Sequence, residues 1–160
     1  MVQTLTISRR ETYLKAALFI AANIALPHIF HLFPGGGRMF LPIYFFTLIG
    51  TMRYGWQLGL ITAVMSPVLG NVLFGVPATF LLPDMLFKGA MLTVAAALLV
   101  NKYGASLLVS LASVLAAWCA VGLIEWPFTG AAYAFQDFVT GVPGLAMLVL
   151  GSWIINRYFK

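Results

Sequence analysis

The sequence predicts an all-α membrane protein: one bundle of six transmembrane helices with the N- and C-termini in the cytoplasm. Of its 160 residues, 62% are hydrophobic and only 8% are charged, and the mean hydropathy is +0.99. Soluble domains carry about 25% charged residues, so this composition excludes an ordinary soluble protein. A chain of this length fits one domain, and we expect residues 1–160 to form a single integral membrane domain.

Breaks rich in glycine, proline or charge divide the chain into six apolar segments, and a transmembrane helix needs about 20 such residues. The segments are roughly 13–33, 39–53, 56–74, 79–101, 104–124 and 138–158. The second is short enough either to cross with little tilt or to enter only partway. A basic patch precedes the first, as in a signal peptide, but no small-residue cleavage site follows the uncharged stretch from Ala16 to Gly37. We therefore expect a retained first span.

The placement of basic residues favours this topology. With six spans and both ends inside, seven Lys and Arg residues lie on the cytoplasmic side and only Arg38 lies outside, as the positive-inside rule requires. The seven are Arg9, Arg10, Lys15, Arg53, Lys102, Arg157 and Lys160. Topology thus accounts for the net charge of +5, and we expect no nucleic-acid partner. The predicted location is the bacterial plasma (inner) membrane, as a multi-pass protein in contact with lipid.

Three predicted outer loops separate the spans: residues 34–38, 74–79 and 125–144. The first two are rich in glycine and proline, which suit sharp turns. The third is too long for a simple connector and is rich in aromatic residues, so we expect it to fold back as a lid over the outer face. The single cysteine, Cys119, excludes an intramolecular disulfide and a CxxC metal site.

Two charged residues, Asp84 and Lys88, lie inside the apolar fourth segment. Their i, i+4 spacing with the acid first favours an intrahelical ion pair, and a neutralised pair is cheaper in hydrocarbon than two lone charges. A purely structural pair is therefore one interpretation. Ionisable groups within the membrane usually mark a function, so the other is that both contact a ligand from the wall of an outward pocket.

Further polar and aromatic residues lie at the same predicted depth near the outer face. They are Asn71, Trp118, Glu125, Trp126, Tyr133, Gln136 and Asp137. An apolar pocket with a few convergent polar groups is the usual form of a small-molecule site, although Trp126 and Tyr133 also fit an interfacial aromatic belt. Arg38 either snorkels to the interface or anchors a carboxylate, a phosphate or a polar ring.

His28 and His31 are spaced i, i+3, which puts both on one helix face. Two ligands are too few for a strong metal site, and no HExxH motif or acidic cluster accompanies them. We therefore expect a structural or ligand-contacting role for His28 and His31, with His31 as the candidate site residue, and no bound metal. No nucleophile–base pair or phosphate-binding loop is apparent, so the sequence does not predict an enzyme.

Small residues recur along the first segment, where Ala17, Ala21 and Ala25 are spaced i, i+4, i+8. Such a stripe lets another helix pack closely. The partner helix belongs either to the same bundle or to a separate membrane subunit.

Three stretches resemble the substrate-binding S components of energy-coupling-factor (ECF) vitamin transporters. They are ALPHIFHLFPGGGRMFLPIYF (25–45), GWQLGLITAVMSPVLGNVLFGVPATFLLP (55–83) and the alanine stripe of the first segment. The matching positions are Leu26, Pro27, His31, Phe40, Leu41, Pro42, Gly55, Gly59, Ser66, Pro67, Gly75 and Pro77. The resemblance covers about residues 10 to 105, and the last third matches only in hydropathy and length.

This resemblance implies a six-helix protein that binds a vitamin at its outer face and has no bound cofactor. It implies that Ala17, Ala21 and Ala25 dock on a transmembrane T component, and that two partner ATPases use ATP to reorient the chain. Residues 34–38 and 74–79 become gates, with Asn71, Asp84 and Lys88 as pocket contacts. A solitary protein without these subunits is the alternative.

The leading hypothesis is the capture and uptake of a small water-soluble vitamin or vitamin precursor. Binding would come from aromatic stacking with hydrogen bonds from Asp84, Lys88 and Arg38. One rival is a six-helix membrane scaffold, similar to rod-shape proteins, that binds protein partners and no small ligand. The other is a small intramembrane enzyme, which needs an acid–base pair that the sequence does not offer.

Overall fold

The computed structural model describes residues 9–30 and 40–158, apart from the side chains of six residues: Arg9, Arg10, Phe128, Ala131, Tyr133 and Ala134. These residues form six α-helices and no strand. The helices are α1 (Arg9–Phe30), α2 (Phe45–Tyr54), α3 (Trp56–Phe74), α4 (Leu82–Tyr103), α5 (Leu107–Thr129) and α6 (Ala131–Tyr158). Short 3₁₀ turns precede α2 and α4, at Pro42–Tyr44 and Thr79–Leu81.

Five of the six helices in the described chain are long and apolar enough to cross a membrane. The predicted all-helical, multi-pass membrane class is therefore confirmed at this level. The exception is α2, which has 10 residues and so extends about 15 Å, half of the roughly 30 Å hydrocarbon core. It begins only at Phe45 because the 3₁₀ turn that starts with Pro42 occupies the residues before it.

Helices α2 and α3 form a tight hairpin around Gly55. This residue has a φ of 98°, which glycine adopts readily and other residues avoid. One turn later, a Cβ added at Gly59 would overlap the Thr51 side chain of α2. The turn conformation thus explains Gly55, and the close approach of the two helices explains Gly59.

The predicted lid at residues 125–144 is wrong, because the structure places these residues in two helices. Helix α5 continues to Thr129 and α6 starts at Ala131, so only Gly130 separates them, with a φ of 87°. Pro127 and Pro143 lie inside the helices rather than ending them, which is tolerated where neighbouring helices satisfy the freed backbone groups. The aromatic-rich segment is a continuation of the bundle.

The core lies between α2, α4, α5 and α6. Its fully buried members include one side chain from each of these helices: Leu48, Leu92, Val114 and Leu148. Helix α1 is more peripheral, since 11% of its apolar window is buried against 33–39% for the other four long helices.

A buried asparagine fastens α1 to its neighbours. The Asn23 amide donates hydrogen bonds to Thr47 Oγ1 at 3.1 Å and Ser66 Oγ at 3.3 Å, and its carbonyl oxygen accepts one from the Phe46 backbone N–H at 3.0 Å. One side chain therefore connects α1 with both helices of the α2–α3 hairpin. The Ser66 hydroxyl also donates to the Thr62 carbonyl within α3.

The two ends of the bundle differ in charge. At the basic end α2, α4 and α6 finish with Arg53, Lys102 and Arg157 in their last turns. Three acidic residues occupy the opposite end, here called the acidic end: Asp84, Glu125 and Asp137. By the positive-inside rule, the acidic end is predicted to face outward.

Candidate functional site

Lys88 is the centre of a charged cluster formed by three helices at the acidic end. Its Nζ lies 2.9 Å from Asp84 of α4, 3.1 Å from Asp137 of α6 and 3.7 Å from Glu125 of α5. Its side chain is only 7% exposed. The chain has four acidic residues in all, and three of them surround this one ammonium group.

The helix geometry explains why these groups meet. Asp84 lies in the first turn of α4, where the helix dipole favours a negative charge, and Lys88 is one turn further on the same face. Glu125 is near the end of α5 and Asp137 near the start of α6, on either side of the break at Gly130. The chain reverses direction at Gly130, and this reversal brings the carboxylates of Glu125 and Asp137 next to α4.

A cavity of about 170 Å³ opens beside this cluster and is called the polar pocket below. It lies between α4, α6 and the chain before α2. Its lining residues are Leu41, Ile43, Tyr44, Leu81, Asp84, Met85, Lys88, Gln136, Asp137 and Thr140. As predicted, Asp84 and Lys88 lie in the wall of a cavity. Asp137 and Gln136 line the same cavity.

A second cavity of about 240 Å³, the apolar pocket, adjoins the first. It is bounded by α1, α3 and the loop after α3, and it shares three wall residues with the polar pocket: Ile43, Leu81 and Met85. Each cavity alone is smaller than the roughly 300–1,000 Å³ of typical ligand pockets. The two neighbouring cavities together make up the candidate site, with an apolar half and a charged half.

Aromatic side chains stand behind the polar pocket. Tyr44 lines it and meets Trp118 of α5 edge to face, with ring centroids 5.4 Å apart, and both are 4% exposed. Trp118 itself lines a separate surface cavity of about 510 Å³, together with Glu125, Trp126 and Asp137. Trp126 is 55% exposed, so it lies at the rim of the site at most.

Asn71 lies apart from the charged cluster and lines neither the polar nor the apolar pocket. Its amide donates to the Pro77 carbonyl at 2.7 Å and to Thr79 Oγ1 at 3.3 Å. It therefore closes the loop after α3, one of the two predicted gates, instead of facing the polar pocket.

Other predicted residues fall outside the described part of the chain. His31, Arg38 and the gate at 34–38 are among them, and Tyr133 is in α6 with its side chain outside the description. The neighbouring His28 lines the apolar pocket, and its Nδ1–H donates to the Ile24 carbonyl at 2.7 Å.

The alanine stripe of α1 lies on the free face of that helix. Ala17, Ala21 and Ala25 are all exposed, while Ala16 and Asn23 face the bundle. The three alanines therefore do not pack against another helix of the bundle, which was one of the two interpretations of the stripe.

Two residues with polar side chains that line the polar pocket, Tyr44 and Thr140, were missed by the sequence analysis. Thr140 follows Gln136 by four residues and Asp137 by three, which puts all three on one face of a helix. That signal is present in the sequence, but it is visible only if residues 131–158 are treated as one helix.

The cluster can bind a polar molecule through charged hydrogen bonds, which are stronger than neutral ones. Among the described residues, no group of three or more His, Cys, Asp or Glu side chains is arranged to hold a metal ion. The carboxylates instead converge on an ammonium group.

No family model matches the chain, and no curated protein or solved structure matches it.

Proposed function

We propose that this chain is the substrate-binding subunit of an ECF-type importer. It captures a small water-soluble vitamin or vitamin precursor at the outward acidic end and carries it across the membrane by reorientation. It performs no chemistry on the molecule. The resemblance of residues 10 to 105 to S components motivates this choice, and the site at the acidic end supports it.

The observation that carries the proposal is the charged cluster beside a cavity. Charges within a membrane are costly and usually serve a function, and a structural role would need only Asp84 to neutralise Lys88. Here two further carboxylates, on α5 and α6, come within 4.0 Å of the same ammonium group. Such an excess fits a site that is completed by a ligand.

The exposed face of α1 supports a partner subunit. Small side chains at Ala17, Ala21 and Ala25 permit close helix contact, and this peripheral helix leaves them uncovered. In the proposal they dock on a transmembrane T component, and two ATPase subunits supply the energy. A solitary importer needs no such contact.

The same alanine face favours a second candidate, a membrane scaffold that binds protein partners without a small ligand. The two candidates differ at the acidic end. An importer subunit binds a small molecule in the polar pocket, whereas a scaffold leaves the pocket without a ligand.

Mass spectrometry of small molecules released by denaturing the detergent-purified full chain tests the proposal. We expect an equimolar vitamin-like compound in protein from cells grown in vitamin-rich medium. A clean blank in that medium would reject vitamin capture and favour the scaffold.

A further inference from the structure

We propose that the ligand of the polar pocket carries a positive charge, as an organic ammonium or a cationic nitrogen heterocycle, attached to an apolar body. This inference rests on the proposed function and names the chemical class of the substrate. It follows from the charge balance of the cluster, the accessibility of its members and the shape of the two pockets.

The charge balance is negative. Asp84 and Asp137 both lie within 3.1 Å of Lys88 Nζ, so these two carboxylates and one ammonium group leave a formal excess of one negative charge before Glu125, at 3.7 Å, is counted. Uncompensated charge of this kind is expensive away from water. A cationic group supplied by the ligand reduces that excess, whereas an anionic ligand increases it.

The carboxylates are also the groups that an entering molecule meets. The side chains of Asp84 and Asp137 are 38% and 40% exposed, while that of Lys88 is 7% exposed. Lys88 also lines the pocket, but it is far less accessible than the two carboxylates. An entering anion would therefore meet more exposed negative charge than positive charge.

The surroundings favour an organic cation over a metal ion. The described His, Cys, Asp and Glu side chains form no group arranged to hold a metal. The wall beside the carboxylates includes Tyr44, and the adjoining apolar pocket has room for an uncharged part. Ile43 and Met85 line both cavities, so the charged part and the uncharged part of a ligand would lie side by side.

The test compares three probes of similar shape and different charge: phenethylamine, phenethyl alcohol and 3-phenylpropionate. Binding to the detergent-purified full chain is measured by titration. We expect phenethylamine to bind at least about tenfold more tightly than either other probe. Asp137→Asn should weaken amine binding by about tenfold, and Glu11→Gln, which changes the one acidic residue outside the cluster, should have no effect.

Equal or tighter binding of the alcohol or the carboxylate, or an unchanged amine affinity in Asp137→Asn, would overturn the inference. If Asp137→Asn does not fold, Glu125→Gln replaces it under the same criteria. A neutral or anionic compound released at equimolar ratio from the wild-type protein would overturn the cationic class and leave vitamin capture standing. No released compound and no bound probe would overturn both.

Discussion

At the scale of single residues, Lys88 holds the acidic end together. Replacing it with methionine keeps most of the side-chain volume but leaves three carboxylates facing one another without a counter-ion. Removing one partner of a buried ion pair costs about 3–5 kcal/mol, and the Lys88 side chain is 7% exposed. We expect Lys88→Met to lower the free energy of unfolding by that amount, measured by denaturant unfolding in detergent.

The matched control is Lys102→Met, since Lys102 is exposed in the last turn of α4. Exposed substitutions usually change stability by less than about 0.5 kcal/mol. A Lys88→Met protein as stable as the wild type would mean that the carboxylates are neutralised by protons and that the ammonium group is dispensable.

The sequence predicts part of this cluster. Asp84 and Lys88 are one helical turn apart, and local spacing is enough to pair them. Asp137 reaches the same ammonium group from 49 residues away, so its contact depends on how the helices pack. Periodicity within one helix carries no information about that packing.

At the scale of helices, Asn23 is the connection that positions α1. Asn23→Ala removes both amide donors and leaves the Phe46 N–H without its acceptor. A buried donor left unpaired costs about 1–3 kcal/mol. We expect Asn23→Ala to reduce the free energy of unfolding by about 2 kcal/mol, measured by the same denaturant titration.

Asn101→Ala is the control for that change, because Asn101 is an exposed residue near the end of α4. Equal stability of the two variants would show that α1 is held by its apolar contacts alone and that the asparagine bonds contribute nothing.

The helices themselves were predictable to different degrees. The predicted segment 56–74 coincides with α3, because a glycine marks each end of the helix, Gly55 before it and Gly75 after it. Segment 125–144 was predicted as a loop because it contains prolines and polar residues. Both prolines lie inside helices of the structure. Neighbouring helices can satisfy the backbone groups that a proline frees, and the sequence alone does not reveal such packing.

At the scale of the whole molecule, the charge difference between the two ends predicts the orientation in the membrane. Single cysteines at Lys102 and Thr129, both exposed, report the two ends in a Cys119→Ser background. An impermeant maleimide added to intact cells should label Thr129→Cys and should label Lys102→Cys only after lysis. The reverse pattern would place the polar pocket on the cytoplasmic side and contradict capture from outside.

The central claim is that a small molecule occupies the polar pocket, and the most direct test is to fill that pocket. Thr140 lines it, while the adjacent Val139 is 45% exposed and lines none of the cavities described above. The measurement is the molar ratio of released small molecule to protein for the wild type, Thr140→Phe and Val139→Phe. The account predicts an equimolar compound in the wild type and Val139→Phe and its loss in Thr140→Phe. Full retention of the compound by Thr140→Phe would contradict it.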